Sequence, residues 1–391
     1  MSEHDFVLTF GRLERVRSGA GTLAAIPEEV AQRGYKKVYI ATGQTVGRST
    51  HHARLVELLG DKYVGTYDRC TQHVGATGVR ELAAELIRTG ADLVISLGGG
   101  SPIDTAKASI ASVLAGRDMT QSASANYYEA QEPPAVGPIV AHFCLPTTLS
   151  AGEYNSPTAY TNDEGEKLGI VDSRLGPTVI FNDPEVGQDT PDGLWSSTGL
   201  RALDHAVAAI YSQHSTPFTD ALTRQSIRLF VDNLPVAQDG STEERIAARG
   251  ACLTAAMLSN YATMNTRYGL SHAVGHKIGP KYGVPHGVTS CIGLPHAMRF
   301  MAHRFPEKFG PIAEALRIPA TILDTTTALA CADRVAKLVA DLRIPARFRD
   351  YDVPLDGMLE IVPAITDEMN QAGSAGPVTE AEIDELVRAC W

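Results

Sequence analysis

Three histidines stand close together in the segment SHAVGHKIGPKYGVPHG, although the whole chain holds only 12 histidines. Two of them, His272 and His276, are four residues apart, so on a helix they would share one face. The third, His286, follows a glycine–proline turn and could return to the same place. Imidazoles bind divalent metals and transfer protons near neutral pH, so we interpret this group as the catalytic centre. The alternative is that they are polar surface or capping residues.

A fourth histidine, His205, lies on the predicted helix LRALDHAVAAIY, and the residue four positions before it is Arg201. A metal-binding helix would carry a carboxylate at that position, on the same face as the histidine. A guanidinium stays protonated and has no free lone pair, so it cannot ligate a metal and would repel a divalent ion. Asp204 lies about 100° around the helix from its neighbour His205 and cannot simply replace a partner at i−4. The sequence therefore predicts that a metal is absent.

A glycine-rich loop precedes these histidines in the stretch LGGGSPIDTAKA. Its residues Gly98, Gly99, Gly100 and Ser101 stand between a hydrophobic strand pattern and a helical pattern. Without side chains the backbone can approach a pyrophosphate, and the first amides of the helix face the anion. The loop is neither G-x-G-x-x-G nor a P-loop, and a tight strand-to-helix turn is the alternative. We interpret it as a phosphate-binding loop, strengthened by the following pair Asp104 and Lys107.

The elements that must position these residues differ between the two parts of the chain. Before residue 185, strand patterns at residues 36–43, 91–101, 138–148 and 177–184 alternate with helical patterns, which predicts a mostly parallel sheet of Rossmann type. After it, five segments carry the 3.6-residue period with few strand signals between them, at residues 220–234, 244–264, 303–316, 332–342 and 380–390. We therefore predict an α/β dinucleotide-binding domain at residues 1–184 and an all-α substrate and catalytic domain at residues 185–391.

Composition narrows the class of protein. The formal net charge of −11 argues against a nucleic-acid partner, which would need a basic face. Six cysteines without a C-x-x-C pair predict buried reduced thiols rather than a disulfide framework or a zinc knuckle. The N-terminal MSEHDFVLTF has no secretory pattern, and no apolar run approaches the roughly 20 residues of a membrane span. We expect a cytoplasmic enzyme without a membrane partner.

Three segments, GGGSPIDTAKA, LPTTLSAGEYNSPTAY and GLSHAVGHKIGPKYGVPHG, resemble the iron-containing alcohol dehydrogenase superfamily over essentially the whole chain. The resemblance implies an oxidoreductase, usually dimeric or larger, with a nicotinamide cofactor in a cleft between the two domains. Members that prefer NAD often carry an aspartate after the first strand, where this chain has Gly43, so NADH and NADPH both remain open. The cofactor-binding residues that we predict are Gly43, Gly98, Gly99, Gly100, Ser101, Asp104, Thr147, Thr148 and Lys167.

Metal-dependent members of the superfamily hold divalent iron or zinc with an aspartate and three histidines, which here match His205, His272 and His286. Arg201 stands at the position of the aspartate. The maleylacetate reductase branch lacks the metal, and this chain resembles it in the short segment TTLSAGE and in His73 of TQHVGATG. Known reductases tend to have asparagine at the position of Arg201, which leaves the substrate more open than the reaction class.

We therefore expect an NADH- or NADPH-dependent, metal-independent reductase of an oxo- or enol-dicarboxylate, such as maleylacetate reduced to 3-oxoadipate during aromatic breakdown. The predicted catalytic residues, with His276 as proton donor, are Arg201, His205, His272, His276 and His286, and the predicted substrate-binding residues are Arg201, His73, Arg267 and Lys277. The alternatives are a metal-dependent alcohol dehydrogenase for a small alcohol or aldehyde, a lyase related to dehydroquinate synthase, and a non-catalytic nucleotide-binding protein.

Overall fold

The structure is a computed structural model that describes residues 6–121, 135–372 and 376–391. They form two compact units, Phe10–Asp189 and Thr190–Trp391, the second joined by the chain up to Thr9. The first five residues of the N-terminal segment used to judge a secretory signal lie outside the described residues. Within the described ranges, no helix combines the length and apolar character that crossing a membrane requires.

The first unit is built on a six-stranded sheet in which every neighbouring pair is parallel. Its strands are β1 (Arg15–Ser18), β2 (Val38–Thr42), β3 (Tyr63–Tyr67), β4 (Leu93–Gly98), β5 (Ala141–Pro146) and β8 (Val179–Asn182). They follow the order β1-β8-β5-β4-β2-β3. Two further strands, β6 (Thr158–Thr161) and β7 (Lys167–Ile170), form a separate antiparallel hairpin. The predicted Rossmann-type parallel sheet is confirmed.

Helices cover both faces of this sheet, as β4 and β5, which are buried along their whole length, require. The helices are α1 (Ile26–Gln32), α2 (Gln44–Gly47), α3 (Thr50–Leu59), α4 (Ala76–Thr89) and α5 (Gly100–Ala115). Val94 belongs to the apolar cluster that contains α4 and α5, whereas Ile95 belongs to the cluster that contains α1 and α3. Successive residues of one strand therefore fill two separate cores.

The four central and best-patterned strands, β2, β4, β5 and β8, lie in the segments predicted to form them. The sequence missed the two edge strands, β1 and β3, and the hairpin of β6 and β7. The edge strands RVRS and YVGTY are short and mostly half-buried or exposed, so they lack the continuous apolar run of a central strand.

The second unit is helical, as predicted, and no strand occurs among its described residues. Its helices are α6 (Asp192–Tyr211), α7 (Pro217–Asp239), α8 (Thr242–Thr263), α9 (Leu270–Tyr282), α10 (His286–Arg304), α11 (Gly310–Ala315), α12 (Thr325–Asp341), α13 (Leu355–Leu359), α14 (Val362–Ala372) and α15 (Glu380–Cys390). The sequence predicted one continuous helix at residues 303–316, and this prediction is wrong. Phe305 directly precedes Pro306, and a proline disfavours the helical conformation of the residue before it, so α10 ends at Arg304 and α11 begins only at Gly310.

Helices α6, α9 and α10 carry the predicted catalytic residues of this unit and pack against one another. A Cβ atom at Gly275 of α9 would lie 2.5 Å from Oγ1 of Thr289 on α10. Only glycine permits this close crossing, which brings the histidines of the two helices to the same side. The local sequence thus sets the spacing on each helix, and small residues set the distance between helices.

Candidate active site

The glycine loop of the first unit lies at the carboxyl ends of the parallel strands. Gly98 ends β4, and its carbonyl oxygen accepts a hydrogen bond of 3.0 Å from the amide of Thr147, just beyond β5. Gly99 is the N-cap of α5 and supplies no side-chain cap, so the first amides of this 16-residue helix are left for another partner. The loop follows β4, and the chain order of the sheet reverses between β4 and its neighbour β2. Ligands of α/β sheets bind at such a reversal, at the carboxyl ends of the strands.

Two buried hydroxyl groups beside this loop have no hydrogen-bond partner in the described part of the chain, Oγ1 of Thr148 and Oγ of Ser150. A Cβ atom at Gly99 would lie 3.0 Å from Oγ1 of Thr148, and one at Gly100 would lie 3.4 Å from Oγ of Ser150. Two such hydroxyls beside the start of a helix are available to bind a ligand. With the helix amides they fit the phosphates of a dinucleotide. Ser150 was missed by the sequence analysis, because a serine in a loop carries no distinctive pattern.

Behind the loop, Lys107 is fully buried and connects α5 to the segment that follows β5. Its Nζ donates to the carbonyl oxygens of Gly152 at 2.6 Å and Pro157 at 3.2 Å, and to Oδ1 of Asn155 at 3.0 Å. Lys107 therefore stabilises the loop from inside and is not presented to a phosphate. Asp104 lies 3.9 Å from its ammonium.

Loss of solvent raises the pKa of two carboxyl groups of this region, those of the half-buried Asp104 and the fully buried Glu153. Burial raises the pKa of Asp104, although the charges of Lys107 and Lys167 oppose the shift. Glu153 is fully buried, and burial raises its pKa to about 7. Neither of its carboxyl oxygens has a hydrogen-bond partner among the described residues. Lys167, at the exposed start of β7, is thus close enough to act on Asp104.

The remaining predicted residues of the first unit lie at loop positions. Gly43 follows β2 as the N-cap of α2, and a Cβ atom there would lie 3.4 Å from the carbonyl oxygen of Cys70. His73 is exposed in the loop between β3 and α4 and has a φ angle of 65°. Its carbonyl oxygen accepts a hydrogen bond of 2.9 Å from Oγ1 of Thr161.

The second unit brings its four predicted histidines together from three helices: His205 from α6, His272 and His276 from α9, and His286 from the start of α10. Nε2 of His205 lies 2.7 Å from Nε2 of His272. The ring of His276 stacks on that of His286 at a centroid distance of 5.8 Å, and its edge meets His272 at 5.7 Å. His286 therefore does return to the pair on α9, as the sequence suggested.

A hydrogen-bonded chain fixes the first two imidazoles. Nδ1 of His272 lies 2.8 Å from Oδ2 of the buried Asp204, which accepts the Nδ1 proton. Nε2 of His272 must then accept from Nε2–H of His205. Burial lowers the pKa of both histidines well below the usual value, and the charge of Arg201 lowers each further. Both rings are accordingly neutral at pH 7.

Arg201 lies one turn before His205 on α6 and is half-buried. Its Nη1 donates to Oγ of Ser290 at 3.3 Å, and it forms no ion pair with any acidic side chain in the described ranges. Burial lowers its pKa to about 10, while Asp204 opposes the shift. The guanidinium thus remains charged at neutral pH with most of its five donors available.

This donor set does not fit a divalent metal ion. Two imidazole nitrogens on one zinc ion would lie about 3.3 Å apart, given bonds of roughly 2.0–2.1 Å in a tetrahedron. His205 and His272 instead approach to 2.7 Å as a hydrogen-bonded pair. Arg201 stands where a carboxylate would be needed, and Asp204 is engaged by His272. In the residues that the structure describes, no three His, Cys, Asp or Glu side chains are arranged to hold an ion.

Glu368 on α14 is a residue of this site that the sequence analysis missed. Its Oε1 lies 2.8 Å from Nδ1 of His276, and its Oε2 lies 2.9 Å from Nζ of Lys277. Burial alone would raise the pKa of Glu368, but the hydrogen bonds and charges of His276 and Lys277 outweigh it and lower the pKa. Glu368 and His276 are 92 residues apart, so no local motif could reveal the contact.

The structure also shows the surroundings of Lys277 and Arg267, which the sequence analysis predicted to bind the substrate. Lys277 is already paired with Glu368. Arg267 is half-buried in the connection between α8 and α9. It directly precedes Tyr268, whose ring meets His276 at 5.2 Å and His272 at 6.0 Å.

Two family models match this chain: residues 14–184 match "iron-containing alcohol dehydrogenase", and residues 196–391 match the C-terminal part of the "Fe-containing alcohol dehydrogenase family". A 1,3-propanediol dehydrogenase from Klebsiella pneumoniae is 32% identical over 346 residues, which cover 86% of each chain. Lactaldehyde reductase from Escherichia coli is 29% identical over 380 residues, 95% of this chain and 97% of that protein.

A maleylacetate reductase from Cupriavidus pinatubonensis is 28% identical over 316 residues, 81% of this chain and 79% of that protein. Among solved structures, a 1,3-propanediol oxidoreductase aligns over 99% of this chain and 100% of its own, with a TM-score of 0.87 and 28% identity. The similarity therefore extends over both units, and it includes relatives named as dehydrogenases and relatives named as reductases.

Proposed function

Because the chain belongs to the iron-containing alcohol dehydrogenase family, we propose that it is an NADH- or NADPH-dependent reductase that works without a metal ion on a carboxylate-bearing substrate. One observation carries the proposal: Arg201, half-buried and without an ion pair in the described part of the chain, stands one helical turn before His205. A buried guanidinium is a strong binder of a carboxylate or of an oxyanion, and it cannot be a metal ligand.

The dinucleotide fits the first unit, where the amides at the start of α5 and the hydroxyls of Thr148 and Ser150 would hold its phosphates. When bound there, the nicotinamide ring supplies the hydride. The remaining steps fall to side chains of this chain, because the residues around Arg201 do not fit a metal ion.

In the proposed reaction, Arg201 binds the substrate carboxylate or stabilises the negative charge that develops on the acceptor. The chain from His205 through His272 to Asp204 holds two neutral imidazoles beside it. His276, whose Nδ1 is bound to Glu368, donates the proton that completes the reduction. His286 stacks on His276 and limits its rotation.

The reference substrate is maleylacetate, an intermediate of aromatic breakdown, because a maleylacetate reductase is among the relatives of this chain. The reaction would be maleylacetate plus NAD(P)H plus a proton, giving 3-oxoadipate and NAD(P)⁺. The alternative is a metal-dependent alcohol dehydrogenase for a small alcohol or aldehyde, which the 1,3-propanediol dehydrogenase and lactaldehyde reductase relatives favour.

The test is the metal content of the purified, undialysed protein by elemental mass spectrometry, paired with oxidation of NADH or NADPH by maleylacetate, by an oxo acid with one carboxylate, and by lactaldehyde. Near-zero iron and zinc in protein that reduces either of the two carboxylate-bearing substrates supports the proposal. One metal ion per chain in protein that reduces lactaldehyde, with loss of activity on chelation, would establish the alternative.

A pair of variants separates the guanidinium of Arg201 from the general effect of removing a positive charge. Arg201→Met should abolish reduction of maleylacetate, because the anchor for its carboxylate is lost. Arg299→Met is the matched control, since Arg299 lies on α10 of the same unit and pairs with Asp333 at 2.8 Å on the surface. It should retain the activity of the wild type, and an equal loss in both variants would remove the support for a specific role of Arg201.

A further inference from the structure

The two cations near the histidines are in opposite electrostatic situations. Arg201 has a hydrogen bond to a neutral serine hydroxyl and no acidic partner in the described residues. Lys277 has a carboxylate oxygen of Glu368 2.9 Å from its ammonium. A substrate carboxylate would meet an available charge at Arg201 but an occupied one at Lys277.

Glu368 is held firmly in this place. Its side chain is only 15% exposed, and its two oxygens are divided between two adjacent residues, His276 and Lys277. Because both hydrogen bonds favour the ionised carboxylate, the group carries its negative charge at neutral pH. A second carboxylate approaching Lys277 would have to displace Glu368 or lie beside it, and like charges at that distance repel strongly.

We infer that Glu368 is a specificity-determining residue. With Glu368 in place, the site binds one substrate carboxylate, at Arg201, and disfavours a second one at Lys277. The inference rests on the proposed function, because it assumes that Arg201 binds the first carboxylate. It makes the preferred substrate an oxo or enol acid with a single anionic group, so that maleylacetate, which carries two carboxylates, should be a weaker substrate than an oxo acid with one.

The alternative role of Glu368 is to join α14 to α9 without affecting the choice of substrate. A second ion pair of α9 provides the comparison. Lys281, one turn after Lys277 on α9, pairs with Glu360 at 3.1 Å. The side chain of Glu360 is 71% exposed, so this second ion pair lies at the surface. Glu360→Gln therefore breaks an ion pair on the same helix while the carboxylate of Glu368 stays beside His276.

The experiment titrates the NADH-loaded enzyme with adipate and with hexanoate, which have the same chain length and differ by one distal carboxylate. Binding is followed by the fluorescence of bound NADH, so that no turnover is needed. Wild type is expected to bind adipate no more tightly than hexanoate. Glu368→Gln should gain at least about tenfold in affinity for adipate alone, since a hydrogen bond to a charged group becomes available. Glu360→Gln should behave as wild type.

Lys277→Met tests whether Lys277 is the source of the higher affinity for adipate. Added to Glu368→Gln, it should abolish the gain for adipate, and alone it should leave both affinities unchanged, because Lys277 is already neutralised. A wild-type enzyme that prefers adipate by about tenfold and loses the preference in Lys277→Met overturns the inference, and so does an unchanged ratio in Glu368→Gln. Arg201→Met that binds both acids as wild type would instead overturn the proposed function, whatever Glu368 does.

Discussion

Nε2 of His205 and Nε2 of His272 lie 2.7 Å apart and share one proton, with Asp204 accepting the proton on the far side of His272. In a metal site, both nitrogens would point at the ion rather than at each other. The nearby Arg201 supplies a fixed positive charge one helical turn before His205. The helix face of His205 thus carries a protein cation, and the paired imidazoles beside it are not arranged to hold a metal ion.

Arg201→Asp should create a metal site, because it removes the positive charge and adds a carboxylate on the helix face of His205. We expect the variant, purified in the presence of zinc or ferrous iron, to retain about one ion per chain by elemental mass spectrometry. Arg201→Asn is the control, since it removes the charge without adding a carboxylate. Equal metal content in the two variants would show that position 201 does not decide metal binding.

Glu153→Gln should change how stability depends on pH. The folded-state pKa of Glu153 is about 7 against an ordinary value of 4.5, so the folded protein binds more protons than the unfolded chain between these values. Stability therefore falls as the pH rises from about 4.5 to 7, by about 3 kcal/mol for this group, and is constant above. The variant should lack this fall and be more stable than wild type at about pH 8 in urea unfolding. A parallel pH dependence in both proteins would contradict the assignment.

Lys107→Met should weaken dinucleotide binding, because three hydrogen bonds that fix the segment after β5 are lost. We expect a loss of about 2–4 kcal/mol in the free energy of unfolding and an increased Kd for NADH measured well below Tm. Ser112→Ala on the same helix is the control, since Oγ of Ser112 bonds away from the glycine loop, to the carbonyl of Ala108 and the amide of Met119. A lower Tm with an unchanged Kd would restrict Lys107 to stability.

Ser150→Ala should reduce affinity for the dinucleotide without affecting the fold. Its hydroxyl has no partner in the described part of the chain, so removing it costs nothing in the free protein, whereas the bound phosphate loses one donor. We expect about tenfold weaker binding of NADH by fluorescence titration, with Tm unchanged. Unaltered affinity would mean that the hydroxyl does not reach the cofactor.

The sequence predicted the elements whose patterns are local. Strands β4 and β5 were recognisable because a strand buried on both faces is continuously hydrophobic. The glycine loop was recognisable because it directly follows the apolar run of β4. The i and i+4 spacing of His272 and His276 placed both on one face of α9, because helical periodicity is also local. The edge strands β1 and β3 were missed because half-exposed strands of four and five residues have no continuous apolar run.

The sequence by itself indicated the groups that could do chemistry: a glycine loop before a helix, a group of histidines, and an arginine on the helix that carries His205. Only the tertiary structure decided the electrostatic state of these groups. It brought Glu368 to His276, 92 residues away in the chain, and to the neighbouring Lys277, and it turned Asp204 towards His272 rather than towards Arg201. Partners of this kind are set by how helices cross, and helix crossing depends on packing at positions far apart in the chain.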